Sequence, residues 1–116
     1  MGKTRTSIQE TRNAPRIRLA CRLFFSTDDH LEGEATVIDL SKAGCAVESE
    51  TTVEVGMTLD LSIFLPDYEW QLHIDQAIVR WVRGPIFGVE FQNVRPVQRE
   101  RLRRLVEKFR SQYKTM

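Results

Sequence analysis

Hydrophobic and polar residues alternate along much of the chain between residues 17 and 91, which is the pattern of β-strands that bury one face. The longest alternating run follows Gly56 and places an apolar residue at every second position from Met57 to Leu65. We predict further strands at residues 17–25, 35–40, 45–47 and 86–91, joined by short turns. Residues 70–82 fit either one long bent strand or two short ones.

Near the C-terminus the pattern changes to that of an amphipathic helix. Apolar residues recur there three and four positions apart, at Leu102, Leu105, Val106, Phe109 and Tyr113. Pro96 suits the first position of this helix, which we predict over residues 96–114. About six strands followed by one helix are typical of a mainly β protein, a small antiparallel β-barrel or sandwich. Helices do not alternate with the strands, which disfavours an α/β nucleotide-binding fold.

The first residues are polar and show almost no hydrophobic periodicity. We therefore predict a flexible N-terminal arm at residues 1–14 and one domain at residues 15–116. No apolar stretch has the length of a transmembrane helix, and no secretory signal follows the first basic residues. Cys21 and Cys45 lack the spacing of a disulfide framework or a metal site. We expect a cytoplasmic protein without membrane insertion.

The net charge of +1 conceals a separation of charge along the chain. Residues 1–18 carry a net charge of +4, residues 19–94 carry −9, and residues 95–116 carry +6. An acidic body between two basic ends indicates an anionic partner at one end. That partner is a nucleic acid, a membrane surface or a phosphate-bearing ligand.

The sequence offers little for catalysis. Its two histidines, His30 and His73, have no partners at the spacing of a catalytic triad or a metal site, and we predict that both face solvent. The carboxylates between Asp28 and Glu34 lack the arrangement of a calcium loop and are interpreted as a solvated surface. We therefore expect no enzyme, no metal ion and no cofactor.

The basic C-terminal residues do not favour specific nucleic-acid binding. They surround the predicted helix on every side except its apolar stripe: Arg99, Arg101, Arg103, Arg104, Lys108, Arg110 and Lys114. No turn typical of a recognition helix precedes them, and no aromatic platform for RNA is visible. We interpret the helix as packed on the acidic body. Non-specific binding to nucleic acid through this helix remains an alternative, and it predicts a steep dependence on salt.

Two short motifs carry more specific chemistry. Arg12 and Arg16 lie four residues apart where the predicted arm joins the first strand. The planar guanidinium of arginine can grip a phosphate or the O6/N7 edge of guanine. Downstream, a predicted tight turn holds Asp39, Ser41 and Gly44. Asp39 can accept hydrogen bonds from N1–H and N2–H₂ of a guanine, although Asp and Ser also stabilise turns through their own backbone.

In this order, the RxxxR and DxSxxG patterns resemble the PilZ domain, a bacterial receptor module for cyclic diguanylate (c-di-GMP). The segment from Ala77 to Phe91, AIVRWVRGPIFGVEF, looks like the last two strands of that family. The resemblance spans nearly the whole chain. It implies a small β-barrel with a C-terminal helix and a non-enzymatic receptor whose ligand is c-di-GMP.

The resemblance also implies a role for each motif residue. Arg12 and Arg16 would bind guanine edges and phosphates and fold the arm over the ligand. Asp39 would read the Watson–Crick edge of a guanine, Ser41 would contact the base or a phosphate, and Gly44 would keep the turn open.

Trp81 and Arg18 are further candidates for ligand binding. Trp81 lies where some single-domain members carry a tryptophan that packs on the nucleotide; the equal alternative is a core residue of the barrel. Thr11 stands where many members have another arginine, which leaves open whether one or two ligand molecules bind, and Arg18 or Arg5 could compensate. Ala43 stands where a second glycine is common.

The resemblance implies that binding orders the arm and changes the surface offered to a downstream effector protein. The alternative is an adaptor of the same fold that binds proteins and no longer binds nucleotide, but the retained motifs argue against it. The sequence does not specify the effector, the oligomeric state or the process controlled, whether motility, polysaccharide secretion or biofilm formation.

Overall fold

Six antiparallel strands close into a barrel in the computed structural model, which describes residues 16–66 and 70–115. The elements are β1 (Ile17–Ser26), β2 (Glu32–Leu40), β3 (Gly44–Ser49), β4 (Thr58–Ile63), β5 (Leu72–Arg83), β6 (Ile86–Asn93) and the helix α1 (Pro96–Thr115). Around the barrel the strands follow the order β1-β2-β3-β6-β5-β4, and β1 also pairs with β4. The predicted mainly β barrel with a C-terminal helix is confirmed. The predicted arm at residues 1–14 lies outside the described residues.

The observed strands differ from their predicted bounds by one to three residues at an end. Strand β2 begins at Glu32 rather than Ala35, because the predicted loop before it is a short turn with a hydrogen bond from the Thr27 amide to the Leu31 carbonyl. Of the two alternatives for the next segment, the structure has one long strand, β5 at Leu72–Arg83. The pairing of β5 with β6 shifts register beside Gln76, and such a bulge lets a long strand bend without losing its ladder.

The core lies inside the barrel and is filled by the alternating apolar residues of all six strands. The largest fully buried strand side chains are Ile17, Leu23, Val37, Leu40, Val47, Leu59, Leu61, Ile63, Leu72, Ile74 and Val79. Phe25 and Phe87 meet edge to face in the same core, with ring centroids 5.7 Å apart. Because the barrel is closed, none of its strands is an unpaired edge.

Helix α1 packs against β1 and β5 through the apolar stripe that the sequence predicts. Leu102, Leu105 and Val106 are buried, whereas the side chain of Tyr113 lies outside the described ones. On the solvent side, the neighbouring arginines form ion pairs with Glu100 and hold the pKa of that carboxyl below its usual range. Arg103 and Arg104 are therefore paired within the helix, while the segment keeps its net positive charge. No helix in the described part of the chain combines the length and apolar character needed to cross a membrane.

Shortening Leu102 tests whether α1 is an integral part of the domain. Leu102 is fully buried, so Leu102→Ala should lower the free energy of unfolding by about 2–5 kcal/mol in urea denaturation. Val97 lies in the first turn of α1 and is 77% exposed, so Val97→Ala is the matched control and should change stability little. Equal stability of the two variants would contradict the packing described for α1.

Candidate functional site

Several predicted ligand-binding residues lie in one lateral row on the outer surface of the barrel. Strand register places the following residues side by side in five successive strands, and we call them the site row: Arg18, Asp39, Ala46, Gly88 and Trp81. Directly opposed residues of antiparallel strands project their side chains to the same face. The row therefore begins with a guanidinium and a carboxylate, at Arg18 and Asp39, and ends with the indole of Trp81.

A β-bulge turns Asp39 outward. Strict alternation from Ala35 and Val37, which are both buried, would direct Asp39 into the core. The register of β2 with β3 shifts between Val37 and Asp39, which leaves Ile38 as an extra residue. After this bulge Leu40 faces the core and Asp39 faces outward, beside the exposed Arg16. The bulge re-aims a polar side chain to the surface.

A second bulge does the same for Trp81. The register of β5 with β6 shifts between Val79 and Trp81, with Arg80 as the extra residue. The indole then lies directly over Gly88 of β6. The contact is so close that a Cβ at residue 88 would overlap the Nε1 and Cε2 atoms of the ring. Trp81 is 38% exposed, and the guanidinium carbon of Arg83 lies 5.5 Å from the ring centroid. The alternative of a core tryptophan is wrong, since the ring lies outside the barrel.

Arg16 and Asp39 form an ion pair at one end of the row. The Arg16 Nη1 atom donates to Asp39 Oδ1 at 3.0 Å, and the two side chains are 49% and 29% exposed. Arg18 is exposed and lies directly opposite Asp39 in register. Arg12 lies outside the described residues. The structure thus brings together one arginine of the RxxxR motif, the aspartate of the second motif, and Arg18.

The turn between β2 and β3 is held by the Ser41 hydroxyl. This oxygen accepts the amides of Ala43 at 3.1 Å and Gly44 at 3.2 Å, and it donates to the Gly44 carbonyl. Ser41 is 2% exposed, so its side chain serves the turn in this conformation. Gly44 is required for close approach of β3 to β6, because a Cβ there would overlap the carbonyl oxygen of Val89. Both residues fix the position of the turn behind Asp39.

The cysteines lie inside the barrel, as expected for small core residues. Cys45 is buried and Cys21 is half-buried, and both are free thiols. Burial raises the pKa of Cys21 to about 11. Burial and then the nearby charge of Asp39 raise the pKa of Cys45 further. Neither thiol is suited to act as a nucleophile near neutral pH.

His73 has partners that sequence spacing did not reveal. Its Nε2 atom lies 2.9 Å from Asp60 in β4, and its Nδ1 atom lies 3.6 Å from Asp75 in its own strand. Among the described residues, these three each offer one ligand atom within 4.8 Å of the others, so a metal ion could bind there. Arg95 pairs with Asp75 at 3.0 Å, which makes the cluster part of a network of polar contacts. His30 is exposed in the β1–β2 turn, with a φ of 69°.

Sequence reasoning missed Gly88 and Arg83 as parts of the site. The signal was available in the turn Gly84-Pro85, because β5 ends at Arg83 and β6 begins at Ile86 with only two residues between them. A two-residue hairpin fixes the pairing on both sides of the turn and brings Gly88 opposite Trp81.

Comparison with known proteins identifies relatives of this fold. The family model described as PilZ domain matches residues 10–108. Two solved structures cover 90% of this chain: Escherichia coli YcgR in complex with c-di-GMP, at 18% identity and a TM-score of 0.76, and the PilZ domain of the same protein with c-di-GMP, at 17% identity and a TM-score of 0.71. The Bacillus subtilis inhibitor of motility MotI/DgrA matches at 19% identity over 84% of this chain, with a TM-score of 0.69.

The shared region is only part of the larger relatives. This chain spans about half of the E. coli YcgR chain (48%) and of the B. subtilis MotI/DgrA chain (50%), but it covers 95% of the separate PilZ domain of YcgR. At these identities the likeness concerns the fold. The search of curated proteins finds no match to this sequence.

The thiols provide a test of the buried environment in the barrel. At pH 8, a thiol reagent such as DTNB should react about 100-fold more slowly with Cys21 in the native protein than in the unfolded chain, since a pKa raised from 9.0 to about 11 lowers the thiolate fraction by that factor. Cys45→Ser isolates Cys21 for this measurement. At a pH between 9.0 and about 11, which are the pKa values of Cys21 in the unfolded and folded chain, the unfolded chain loses the Cys21 proton and the folded chain keeps it. The free energy of unfolding should therefore fall as the pH rises through this range. Rapid native labelling would contradict the burial described.

Proposed function

The chain belongs to the PilZ domain family, and on that premise we propose that it is a receptor for c-di-GMP. PilZ domains are known as receptors for this dinucleotide and not as enzymes. The observation that carries the proposal for this chain is the site row. In this row Asp39 and Trp81 share one outer face, and the side chains between them are only the methyl group of Ala46 and the hydrogen of Gly88.

The chemistry of the row complements the chemistry of the ligand. c-di-GMP contains two guanines and two phosphodiester groups, so its binding site needs acceptors for a guanine edge, a flat surface for stacking, and positive charge. The carboxylate of Asp39 supplies two acceptor oxygens. The exposed indole of Trp81 supplies the flat surface. Arg16, Arg18 and the arm supply the positive charge.

The dimensions of the row also support the proposal. Three strand spacings of about 4.8 Å separate the Cα atoms of Asp39 and Trp81, which gives a span of about 14 Å along the sheet. Because the indole leans over Gly88, the gap between the ring and the carboxylate is shorter than this span. A nucleotide fits between a carboxylate that reads its base edge and a ring that stacks on a base.

Binding by both Arg16 and Asp39 requires that they exchange their mutual ion pair for contacts with the ligand. An exposed pair of this kind contributes about 0–1 kcal/mol, so the exchange costs little. Arg12 completes the proposed phosphate grip, and the arm folds over the ligand as it binds. The ordered arm then presents a changed surface to a downstream effector. Since both cysteines are free, as a reducing cytoplasm keeps them, we place the receptor in the cytoplasm.

Variants of the ion pair test the ligand contacts by calorimetric titration with c-di-GMP. Arg16→Ala and Asp39→Ala should each raise the dissociation constant by about 10–100-fold, because each removes charge-assisted hydrogen bonds to the ligand. Arg22→Ala is the matched control. Arg22 joins the same two strands through an ion pair with Glu34, at 2.6 Å, and lies farther along β1. Its removal should leave the affinity unchanged.

Two results would contradict the proposed function. Absence of binding to the intact chain at about 100 μM c-di-GMP would exclude a specific site of micromolar affinity. Such a result would favour the adaptor that binds proteins without nucleotide. An equal loss of affinity in Arg22→Ala and Arg16→Ala would indicate general electrostatic attraction rather than the proposed contacts.

Gly88→Ala tests the indole as a stacking surface without removing it. The new Cβ displaces the ring from its seat, while the extended backbone at residue 88 accommodates alanine. Loss of one base–aromatic stack should weaken c-di-GMP binding by about 5–100-fold, and Trp81→Ala should have a similar effect. Trp70→Phe is the control, because Trp70 is 69% exposed and lies outside the row. Unchanged affinity in Gly88→Ala and Trp81→Ala would remove Trp81 from the proposed site.

A further inference from the structure

A groove on the outer face of β2, β1 and β4 lies apart from the site row. It has a volume of about 480 Å³, and we call it the acidic groove; its lining residues are Phe24, Phe25, Ser26, Glu32, Gly33, Glu34, Asp60 and Ser62. Strand register places Ser26 between Glu32 on one side and Asp60 on the other. From Arg18 to Phe24 the extended strand covers about 20 Å, so the groove is well separated from that end of the site row.

An exposed aromatic pair lies at one side of the groove, where Phe24 lines the groove and Phe64 packs against Phe24. The rings of Phe24 and Phe64 meet edge to face with centroids 5.4 Å apart, and the two residues are 38% and 40% exposed. The barrel core has its own aromatic pair in Phe25 and Phe87, so the outer pair is not needed to fill the interior. Exposed aromatic side chains of this kind are typical of surfaces that bind other proteins.

A cation of the chain itself already contacts two residues that line the groove, Phe24 and Glu34. The guanidinium of Arg22 lies 5.4 Å from the ring centroid of Phe24 and donates two hydrogen bonds to Glu34, at 2.6 and 2.9 Å. This contact shows that an aromatic face and a carboxylate of the groove together hold a cationic side chain. Among the described residues Glu32 makes no ion pair, and Asp60 contacts only the imidazole of His73.

We propose that the acidic groove binds a cationic segment of a partner protein, in which an arginine or lysine neighbours an apolar side chain. The partner's cation lies over the small side chain of Ser26, between Glu32 and Asp60, which are two strand spacings or about 10 Å apart at their Cα atoms. Its apolar neighbour packs on the edges of Phe24 and Phe64. Charge and shape together select this partner, since the carboxylates repel nucleic acids and other phosphate-bearing surfaces.

The basic helix α1 of a second copy of this chain fits the groove less well. The described basic surface of α1 has Arg103 and Arg104 already paired with Glu100. The large apolar side chain exposed on the described part of that helix is Val97, in its first turn. This surface therefore lacks an apolar group beside its cations that could cover the aromatic pair.

The proposal is tested by NMR titration of the ¹⁵N-labelled full chain with three matched synthetic peptides. The first carries an Arg-Phe-Arg core in a glycine and serine background, the second replaces both arginines by glutamate, and the third replaces phenylalanine by serine. The first peptide should shift amide resonances of residues 22–26, 32–34 and 60–64 in a saturable manner. The second should cause no shift, and the third should bind about fivefold more weakly.

Variants of the protein assign the binding to the groove. Glu32→Gln and Phe64→Ser should each weaken binding of the first peptide by about fivefold, and both side chains are exposed enough for the fold to persist. Glu54→Gln and Val55→Ser are the controls. They make the same two chemical changes in the exposed β3–β4 loop and should leave binding unchanged.

Three outcomes would overturn the proposal. The first is the absence of saturable shifts up to about 1 mM peptide. The second is a set of shifts centred on other acidic surfaces, such as Glu48 and Glu50 in and after β3, that is insensitive to Phe64→Ser. The third is a dimer of the chain alone, measured by light scattering, that Phe64→Ser dissociates, because the groove would then be an interface between copies.

Discussion

Each strand of the barrel is hydrogen-bonded to a neighbour on both sides, and the register that this closed ladder imposes determines which side chains meet. Alternation along a strand decides whether a residue faces the core, but lateral pairing decides its neighbours on the surface. The bulges at Ile38 and Arg80 interrupt the alternation within strands that are held on both sides. The ladder therefore builds one outer face from residues that are far apart in the sequence, such as Asp39 and Trp81.

The separation of charge along the sequence is offset in part by ion pairs between its segments, Arg16 with Asp39 and Arg95 with Asp75. Within the acidic body, carboxylates also pair with its few basic residues, as in Arg22–Glu34 and Arg80–Glu90. The arginines of α1 pair with glutamates of the same helix. What distinguishes one surface from another is therefore local geometry rather than total charge. The site row has exposed arginines beside a single carboxylate, whereas the acidic groove has three carboxylates around an aromatic pair.

The strands and the helix could be predicted because their hydrophobic periods extend over many residues. The run from Met57 to Leu65 and the stripe of α1 are both visible without any structure. The orientation of Asp39 and Trp81 could not be predicted from alternation, since one extra residue in each strand reverses the face. The partners of His73 were missed for a related reason.

Contacts across strands depend on register, which a linear sequence specifies only where a turn is tight. His73 in β5 contacts Asp60 in β4, and the sequence alone did not define the length of the loop that connects these strands. No spacing rule could therefore reveal this contact. The motif residues Arg16 and Asp39 were found through family resemblance, and their ion pair spans 23 positions. Ser41 was expected to contact the ligand, but in the structure its hydroxyl forms hydrogen bonds with the backbone of Ala43 and Gly44 in the turn.

The two-residue turn Gly84-Pro85 limits how this chain can tolerate insertions and deletions. One added residue there would slide β6 along β5 and bring Phe87 or Val89 under the indole in place of the glycine that seats it. The same change would reverse the inward and outward faces of β6 and carry polar residues into the core. The β3–β4 loop bears no such restriction, because its length does not set the register of the strands that carry the site row. Length variation among descendants of this chain should therefore accumulate between residues 50 and 57 and be excluded from the β5–β6 hairpin.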